Sequence, residues 1–396
     1  MKKKQYQMLL CMAMSAALVF QVPAYAYGPS ADAAFVSTVT EHFEEGTKVS
    51  NGSVKIVNLY GTWSEMGRQY GKLMKSELNN VYSFTSKIAD ASESNQQKAE
   101  KIKNTQADQN GYTVRTFISG AAETSGLSTD QLNMVNAVER IAGLPNCSAV
   151  VAWDDYAKDN LVVGRNYDYS SMFHQLNDDV VVTVYHPADG SLATATIGYT
   201  GEIYAVNAMN EKGLFMELNN GTPSTKQKPE NPCLTGTSVL FDMMFQADSL
   251  QYTDLFFQTN ICSSSYIINM ADSKSARSYE WCAAGAKQGE HILDPGLLVS
   301  TNHFMNDQWG FETPTDAASW ESLTRRQNLT NLANADKGQI DAQKMMEIMN
   351  TKLEDGGATN DMTVYQLVAE PESLTIWLKI TGAADWTEID MSNYLK

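Results

Sequence analysis

One cysteine, Cys147, stands where a helical pattern ends and a strand pattern begins, in the stretch AGLPNCSAVVAW. Gly143 and Pro145 close the preceding helix, because glycine suits the position after a helix and proline cannot continue one. Eighteen residues after the cysteine, an Arg-Asn-Tyr-Asp cluster supplies Arg165 and Asp168. A thiolate is the reactive form of cysteine, and a nearby arginine favours it. The pattern predicts covalent catalysis by the thiol.

A cysteine at the start of a chain carries its own general base. An α-amino group titrates near ~7.7–8.0, so it can accept the thiol proton at ambient pH. If the peptide bond before Cys147 is cut, the freed amine activates the thiol and later helps water to release the acyl group. Residues 143–146 form a flexible approach to that bond. An antiparallel hairpin would bring Arg165 and Asp168 back beside the cysteine.

Other catalytic signatures are absent from the sequence. It has no G-x-S-x-G, S-x-x-K or H-E-x-x-H motif and no phosphate-binding loop. A cysteine–histidine hydrolase with an uncleaved chain stays open as an alternative, and it would need one histidine near Cys147. The five candidates are scattered along the chain: His42, His174, His186, His291 and His303.

Length and composition indicate a globular protein. The chain has 396 residues, of which 43% are hydrophobic and 10% aromatic, enough for one large domain with an appendage or for two or three domains. The first residues combine a basic start, a short apolar stretch and PAYA, which predicts a secretory signal cleaved after Ala26 and a secreted or periplasmic location. No later stretch is long and apolar enough to predict a membrane span.

The charge balance argues against nucleic acid and anionic membranes as partners. Loss of the three signal lysines takes the formal net charge from −17 to −17 − 3 = −20. The acidic residues are dispersed along the chain, so they contribute to solubility rather than to one binding surface. The expected partner is a small-molecule amide substrate, and the sequence is also compatible with a homo-oligomer.

Four cysteines remain after the signal, without a C-x-x-C motif that would indicate a zinc ribbon or a redox site. Outside the cytoplasm an even set favours disulfides. With Cys147 reserved for chemistry, one pair is available among Cys233, Cys262 and Cys282. Cys262 and Cys282 flank a predicted hairpin, so they are the favoured pair.

Apolar periodicity predicts the elements that hold these residues. A strand at GSVKIVNLY precedes helices from Ser64 to about Phe84 and over 94–106, 109–123 and 129–142. After Cys147, six consecutive stretches rich in β-branched and aromatic residues predict one antiparallel sheet. A helix over 236–258, a hairpin, a strand at GLLVSTNHF, helices over 318–334 and 340–353 and a last hairpin follow. The order predicts an α+β fold, with helices packed over stacked sheets.

Several stretches together resemble the N-terminal-nucleophile (Ntn) hydrolases of the choloylglycine hydrolase and penicillin V acylase superfamily. The similarity is closest to the acyl-coenzyme A:6-aminopenicillanate acyltransferase and N-acylethanolamine acid amidase branch. The motifs are YGTWSEMGRQYGKLM, NCSAVVAW…GRNYDYS, YAVNAMNEKGLFMELNN, LLVSTNHF and SLTRRQNL, spread from about residue 55 to about residue 380. The resemblance implies a four-layer αββα sandwich of two antiparallel sheets over 147–396. A mostly helical segment, 27–146, would precede it and be separated from it by autocleavage.

The resemblance also assigns roles to matching residues. The catalytic candidates are Cys147, Arg165, Asp168, Asn219, Asn302 and Arg325. Cys147 would be the nucleophile, Arg165 would favour its thiolate, and Asp168 would hold the new ammonium. The side-chain amide of Asn302 would donate to the oxyanion, a kind of contact whose loss typically costs ~10²–10³ in rate. Asn219 would lie near the same site, and Arg325, or the adjoining Arg326, would be the distal arginine.

Two features depart from the family pattern. About 120 residues separate the signal from Cys147, whereas the bile-salt enzymes remove only a short leader, and this points to the acyltransferase branch with internal cleavage. Asn146 stands before the cut where glycine is expected by analogy. The residues alone also allow structural interpretations: an inert buried thiol at Cys147, an ion pair between Arg165 and Asp168, and a turn at 219–221.

The resulting hypothesis is a secreted amidohydrolase that cleaves a linear carbon–nitrogen amide bond of an N-acyl or peptide-like small molecule. An acyltransferase would share the same acyl-enzyme intermediate. A non-catalytic envelope binding protein that keeps the fold is the alternative of a different class. The chemistry implied by the resemblance requires neither a metal nor an organic cofactor.

Overall fold

A computed structural model describes residues 33–143, 146–231, 233–289 and 291–396. The predicted signal peptide and its cleavage after Ala26 lie outside the described residues. So do Leu144 and Pro145, two residues of the predicted flexible approach to the cysteine.

Two large sheets form the centre of the structure. The eight-stranded sheet has the strand order β1-β18-β17-β16-β6-β5-β15-β14, and the ten-stranded sheet has the order β13-β12-β11-β10-β9-β8-β7-β4-β3-β2. The strands are β1 (Ala33–Ala34), β2 (Val39–Phe43), β3 (Gly46–Asn51), β4 (Val54–Gly61), β5 (Ser148–Ala152), β6 (Val162–Asp168), β7 (Val180–Pro187), β8 (Thr194–Tyr199), β9 (Asn207–Asn210), β10 (Phe215–Asn220), β11 (Tyr266–Ala271), β12 (Ala276–Cys282), β13 (Gly285–Gln288), β14 (Ile292–Asp294), β15 (Leu297–Ser300), β16 (Thr363–Glu370), β17 (Thr375–Ile380) and β18 (Ala384–Asp390).

The helices fall into three groups along the chain. They are α1 (Trp63–Leu73), α2 (Lys75–Asp90), α3 (Glu93–Gln109), α4 (Tyr112–Ser125), α5 (Thr129–Val135) and α6 (Val138–Ala142) before the cysteine, α7 (Gly236–Met244) and α8 (Leu250–Thr259) in the middle, and α9 (Ser322–Ala335), α10 (Ala342–Asn350) and α11 (Ser392–Leu395) near the end. Among the described residues, none of these helices is both long and apolar enough to cross a membrane.

Helices cover the outer face of each sheet. Residues of α9 and α10, among them Leu329 and Met345, share a buried cluster with Val150 of β5 and Val299 of β15. On the other side, α7 and α8 share a buried cluster with β10, β11 and β12. Between the two sheets lies a third layer of buried side chains. This confirms the predicted α+β fold with αββα layers.

The six strands that follow the cysteine do not form one sheet, so that prediction is wrong. β5 and β6 belong to the eight-stranded sheet, whereas β7, β8, β9 and β10 belong to the ten-stranded sheet. The chain crosses between the sheets through short 3₁₀ turns at Ser171–Asp179. A buried strand has the same composition in either sheet, so local sequence could not reveal the crossing.

The segment before the cysteine is mostly helical, as predicted, and it also contributes strands. Its described residues form six helices, while β2, β3 and β4 extend the ten-stranded sheet and β4 pairs with β7 in parallel. A second parallel pair joins β1 to β18, so the sheets are mainly, not wholly, antiparallel. Strand pairing therefore joins this segment to the part of the chain that follows Cys147.

Helix α1 begins at a capping box, in which Thr62 and Glu65 satisfy each other's backbone N–H groups. It packs against α4 at very short range. A Cβ atom at Gly67 would lie 2.1 Å from the carbonyl oxygen of Phe117, and one at Gly120 would lie 2.1 Å from that of Ser64. Two glycines thus allow the helix backbones to touch.

Three predicted helices are each broken in two. The helix predicted from Ser64 to about Phe84 is interrupted at Met74, the one predicted over 129–142 at Asn136 and Ala137, and the one predicted over 236–258 between α7 and α8. At the last of these breaks Ser249 caps α8, since its side chain accepts from the Tyr252 N–H.

The favoured disulfide between Cys262 and Cys282 is not formed. These two residues and Cys233 are free, and the backbone N–H of Cys262 donates to the carbonyl of Cys282 at 3.1 Å. The backbones are neighbours, as the hairpin argument required, but the sulfurs are not joined.

Candidate functional site

Cys147 lies directly before β5, in the middle of the eight-stranded sheet. β5 pairs antiparallel with β6 in a register that places Ser148 opposite Asn166. The same register places Asn146 opposite Asp168, and the backbone N–H of Asn146 donates to the Asp168 carbonyl at 2.8 Å. The predicted hairpin is therefore present, and it brings the Arg-Asn-Tyr-Asp cluster beside the cysteine.

Arg165 holds the thiol from one side. Its Nη2 lies 3.2 Å from Cys147 Sγ and donates at 2.6 Å to the Leu218 carbonyl. Cys147 is fully buried, and burial raises the pKa of the thiol to about 11, against the opposing effect of the Arg165 charge. In the uncleaved chain the group is a neutral thiol beside the guanidinium that would stabilise its anion.

The ion-pair partner of Arg165 is Glu217 and not Asp168. Arg165 Nη1 donates to the Glu217 carboxylate and, at 3.2 Å, to Asn219 Oδ1, and both charged side chains are fully buried. The sequence suggested an ion pair between Arg165 and Asp168, and this is wrong because Arg165 pairs with Glu217. Glu217 fixes the guanidinium that faces the thiol.

Behind this pair lies a network of polar side chains that sequence reasoning missed. Ser300 Oγ accepts from the side-chain amides of Asn219, at 2.9 Å, and of Asn269, which also donates to the Glu217 carboxylate. Glu217 and Asn219 stand two residues apart in an apolar strand, so both point to the same face of the sheet. That spacing was the available signal. The network places Asn219 at the site, within β10 rather than in a turn.

Arg325 holds the backbone on both sides of the Asn146–Cys147 bond. Its Nη1 donates to the Cys147 carbonyl at 3.0 Å and to the Asn146 carbonyl at 3.4 Å. Its Nη2 donates to Asn302 Oδ1 at 2.7 Å. The adjoining Arg326 points elsewhere and donates to the Val299 carbonyl. Of the two arginines, Arg325 is the one at the site.

Asp168 has a buried carboxyl group, and one of its two oxygens accepts no hydrogen bond from the described residues. Its Oδ1 accepts from Thr363 Oγ1 at 2.6 Å, whereas Oδ2 has no hydrogen-bond partner among the described residues and lies 3.8 Å from Arg325 Nη1. Burial raises its pKa to about 6, although Arg325, Thr363 and Arg165 favour the charged form. The free oxygen can accept a hydrogen bond from a new donor, such as an amine at Cys147.

Asn302 follows β15 at the same end of the sheet. The antiparallel β5–β15 register pairs Ser300 with Ala149. If the register is continued by two residues, forwards from Ser300 and backwards from Ala149, Asn302 comes opposite Cys147. Its Nδ2 donates to the Asn220 carbonyl at 2.9 Å. All six predicted site residues therefore converge, but the Asn302 amide is engaged in the uncleaved chain.

The histidines have other surroundings. His303 contacts Ser322 Oγ at 2.8 Å, His291 lies 3.1 Å from a Glu280 oxygen, and His186 stacks on Tyr60. Within the described part of the chain, no histidine hydrogen-bonds to Cys147. Neither do the described residues contain a group of three or more histidine, cysteine, aspartate or glutamate side chains placed to hold a metal ion.

A cleft opens beside Asn302 and Arg325. It has a volume of about 270 Å³, and its wall includes Phe304, Trp309, Phe311 and Arg326. The rings of Trp309 and Phe311 are stacked at 5.5 Å. The guanidinium Nη2 of Arg326 is buried without a hydrogen-bond partner among the described residues. The cleft can hold a small molecule with an apolar part.

Two buried carboxyl groups meet next to the approach to the cysteine. The Tyr204 hydroxyl lies 3.0 Å from a Glu139 oxygen and 2.7 Å from a Glu202 oxygen. Burial raises the pKa of both acids, that of Glu202 to about 7 and that of Glu139 well above its usual range. Two such groups share one proton because both cannot ionise in one buried site.

The pair predicts how stability depends on pH. The folded chain binds the shared proton more tightly than the unfolded chain, so stability is greatest below about pH 4.5 and falls as pH rises towards about 7. We expect Glu202→Gln to reduce the loss of unfolding free energy with rising pH. The reduction should be about 1.4 kcal/mol for each unit by which folding raises the pKa of Glu202. Urea unfolding of the Cys147→Ala chain at pH 5 and pH 8 measures it.

The matched control for this prediction is Glu354→Gln, at a side chain that is 75% exposed. It should leave the pH dependence unchanged. An equal pH dependence with and without Glu202 would mean that the pair does not hold a proton.

Comparison with known proteins decides the family. The family described as acyl-coenzyme A:6-aminopenicillanic acid acyl-transferase matches residues 156–383, more than half of the chain. The chain belongs to this family. The matched range contains Arg165, Asp168, Asn219, Asn302 and Arg325, and Cys147 precedes its first residue. The protein is thus an enzyme of the Ntn hydrolase and acyltransferase type. No curated protein matches the chain by sequence.

A comparison with solved structures gives matches of low sequence identity. An N-acylethanolamine-hydrolyzing acid amidase ortholog of Caenorhabditis elegans is 16% identical to this chain. The match covers 57% of this chain and 93% of the amidase chain, with a TM-score of 0.43. A conjugated bile acid hydrolase from Clostridium perfringens is 15% identical, with 62% and 93% covered and a TM-score of 0.43. A penicillin V acylase from Agrobacterium tumefaciens is 12% identical, with 62% and 86% covered and a TM-score of 0.38.

Proposed function

We propose that this family member is a cysteine Ntn amidohydrolase that cleaves its own chain before Cys147 and then hydrolyses a linear amide of an N-acyl compound. The single observation that carries the proposal is the arrangement around one peptide bond. Arg165 faces the sulfur at 3.2 Å, and Arg325 donates to the carbonyl oxygen of Asn146 at 3.4 Å. One cation stands at the nucleophile and the other at the oxygen of the bond to be cut.

The first reaction is an acyl shift from nitrogen to sulfur. Cys147 Sγ attacks the carbonyl carbon of Asn146, and the negative charge that develops on the oxygen is stabilised by Arg325. The carbon–nitrogen bond then breaks, and the departing nitrogen takes up the proton given by the thiol. Water cleaves the resulting thioester, which returns the thiol and leaves a carboxylate on Asn146 and a free amine on Cys147.

The second reaction uses the amine made by the first. The amine accepts the thiol proton, the thiolate attacks the substrate carbonyl, and the proton passes to the leaving amine. Asp168 Oδ2, unpartnered in the uncleaved chain, supports a role in holding the ammonium of Cys147. Water then releases the acyl group as a carboxylate. Once the segment before the cut moves, the Asn302 amide can turn from the Asn220 carbonyl to the oxyanion.

Burial supports cleavage as a condition for activity. Both Cys147 and Asn146 are buried, so the intact chain leaves no space for a substrate at the sulfur. The Tyr169 hydroxyl donates to the carbonyl of Gly143, three residues before Asn146 in the sequence. Displacement of Asn146 would expose the thiol, and the aromatic wall of the cleft that includes Phe304 and Trp309 suits the acyl part of a substrate.

The proposed site of action is outside the cytoplasm, because the sequence begins with a predicted secretory signal. An acyltransferase is the second candidate, since the matching family is described by that reaction. It would use the same acyl-enzyme, with an amine in place of water. Adding increasing concentrations of an ordinary primary amine to the assay separates the two, because a transferase would form the new amide with saturation in the amine, whereas a hydrolase would continue to form mainly the acid.

N-terminal sequencing and intact-mass measurement of the purified full chain test the proposal. We expect two fragments, one of which begins Cys-Ser-Ala-Val, and release of acid and amine from a panel of N-acyl amino acids, penicillin V, bile-salt conjugates and acylethanolamides. Active protein without that new terminus would contradict the Ntn mechanism. An intact chain that cleaves no amide and forms no adduct with a cysteine-directed amide probe would support the binding-protein alternative.

A further inference from the structure

Asn146, the residue before the proposed cut, is buried, but its side chain has few partners. Among the described residues its Oδ1 accepts no hydrogen bond, and its Nδ2 donates to the thioether sulfur of Met362 at 3.9 Å. A thioether is a weak acceptor. Burying an amide with so little compensation costs free energy, so packing alone does not explain an asparagine here. Asparagine also stands where analogy with the family predicts glycine.

The backbone of Asn146 is held on both sides, whereas its side-chain amide is held weakly. The N–H donates to the Asp168 carbonyl at 2.8 Å, and the carbonyl accepts from Arg325 Nη1 at 3.4 Å. The amide can therefore turn while the carbonyl carbon stays in place. In asparagine the side-chain nitrogen can close a five-membered ring on the carbonyl carbon of the same residue. A reaction within one held residue is much faster than the same reaction with a free molecule.

A proton acceptor for this amide lies on the neighbouring strand. The β5–β6 register, continued backwards from Ser148, places Asn146 directly opposite Asp168. Side chains of directly opposite residues lie on the same face of a sheet, with their Cβ atoms about 4.5–5.5 Å apart. Asp168 Oδ2 is buried and accepts no hydrogen bond from the described residues. The carboxylate is thus placed to take a proton from the Asn146 amide.

The acyl shift to sulfur needs a further step that consumes its product. A thioester is less stable than the amide from which it forms, so the chain returns to its starting state unless the thioester is used up. Both Asn146 and Cys147 are buried, so water has poor access to the carbon–sulfur bond that joins them after the shift. The Asn146 side chain, in contrast, is already attached next to the reacting carbon.

We propose that the Asn146 side chain, in place of water, releases the thioester during self-cleavage. This rests on the proposed function for the shift itself. Asn146 Nδ2 attacks its own carbonyl carbon, the new nitrogen–carbon bond closes a succinimide ring, and the carbon–sulfur bond breaks. The proton lost by Nδ2 passes to Asp168 Oδ2 and then to the departing sulfur, which becomes the thiol. Arg325 stabilises the negative charge on the carbonyl oxygen, as it does in the shift.

This route leaves a different end group on the segment before the cut. The segment would first end in a succinimide, which is lighter by one water molecule than a segment that ends in the carboxylic acid of Asn146. Water later opens the ring at either of its two carbonyl groups. The segment should then end partly in asparagine and partly in aspartate α-amide, whereas direct hydrolysis of the thioester gives asparagine alone. The chain that begins with Cys147 is the same by both routes.

Mass spectrometry of the purified full chain tests the proposal without any substitution. The last peptide of the segment before the cut should carry the ring in fresh material and both end groups after storage. A segment that ends only in asparagine, beside a chain that begins Cys-Ser-Ala-Val, would overturn the role of Asn146 and leave the proposed function intact. If no chain with that terminus forms, the proposed function and the role of Asn146 fail together.

Two variants test the same step through the rate of self-cleavage. Asn146→Ala removes the nucleophile, and Asn146→Gln keeps an amide but requires a six-membered ring, which closes less readily. We expect both to slow cleavage by about 10²-fold or more, and Asn393→Ala, at an exposed asparagine of α11, to leave it unchanged. Cleavage of both variants at the unaltered rate would overturn the proposal. A thermal midpoint identifies any variant that does not fold, and the end groups of the unaltered chain then decide.

Discussion

Replacing Cys147 with alanine should leave the chain in one piece and lower amide hydrolysis by about 10⁶-fold, the scale expected when a catalytic nucleophile is removed. In the proposed mechanism the same sulfur serves both reactions, since it receives the acyl group of Asn146 and later that of the substrate. Intact-mass measurement reports cleavage of the chain, and release of acid from the best amide of the panel reports hydrolysis. Chain cleavage and hydrolysis should be lost together.

Two substitutions control this experiment. Cys282→Ala removes another fully buried thiol, so it should keep cleavage and hydrolysis while reporting the cost of a lost sulfur. Cys147→Ser replaces the sulfur nucleophile with an oxygen nucleophile, so this variant should cleave its own chain slowly. Full hydrolysis by uncleaved Cys147→Ala protein would place the chemistry at another residue and exclude both the Ntn mechanism and the cysteine–histidine alternative, since both use the Cys147 thiol.

The sequence predicted the catalytic hairpin because its signals are local. A helix stop, a cysteine, a strand and a second strand with Arg165 and Asp168 follow each other within about thirty residues. Antiparallel pairing of neighbouring strands is the commonest arrangement, so the two charged residues return to the cysteine without further information. The family resemblance added Asn219, Asn302 and Arg325, which no local rule would have placed there.

The partners of those residues were not predictable in the same way. Glu217 meets Arg165 across two sheets, and Asn269 and Ser300 join them from strands 52 and 83 residues further on. Sequence shows that Glu217 is a polar residue in an apolar strand, but not which charge it faces. Contacts between sheets depend on how the layers stack, and that is set by the whole fold.

Of the N-terminal strands, β4 was predicted at GSVKIVNLY, whereas β1, β2 and β3 were missed for a different reason. β2 lies at the edge of the ten-stranded sheet with mostly exposed side chains, so it lacks the apolar alternation of a half-buried strand. The parallel pairing of β4 with β7 joins residues more than a hundred positions apart, with all six helices of the first group between them. Strand hydrogen bonds therefore join the segment before Asn146–Cys147 to the part of the chain that follows it.

Arg165→Met should destabilise the folded chain by about 3–5 kcal/mol, because it leaves the Glu217 carboxylate buried without its cation. Both side chains are fully buried, so solvent cannot replace the lost partner. The same change removes the positive charge beside Cys147 and should further raise the pKa of the thiol, which slows self-cleavage. Urea unfolding in the Cys147→Ala background measures the stability of one intact chain, and mass spectrometry of the Cys147 protein measures cleavage.

The double variant Arg165→Met/Glu217→Gln separates the two roles of the arginine. Without a carboxylate, the buried site is neutral and can keep its hydrogen bond to Asn269, so most of the lost stability should return. Cleavage should not return, because no guanidinium faces the sulfur. If restoring stability also restored cleavage, Arg165 would act only by holding the fold together, and the thiolate would have to be stabilised by the Asp168 N–H and Arg325 alone.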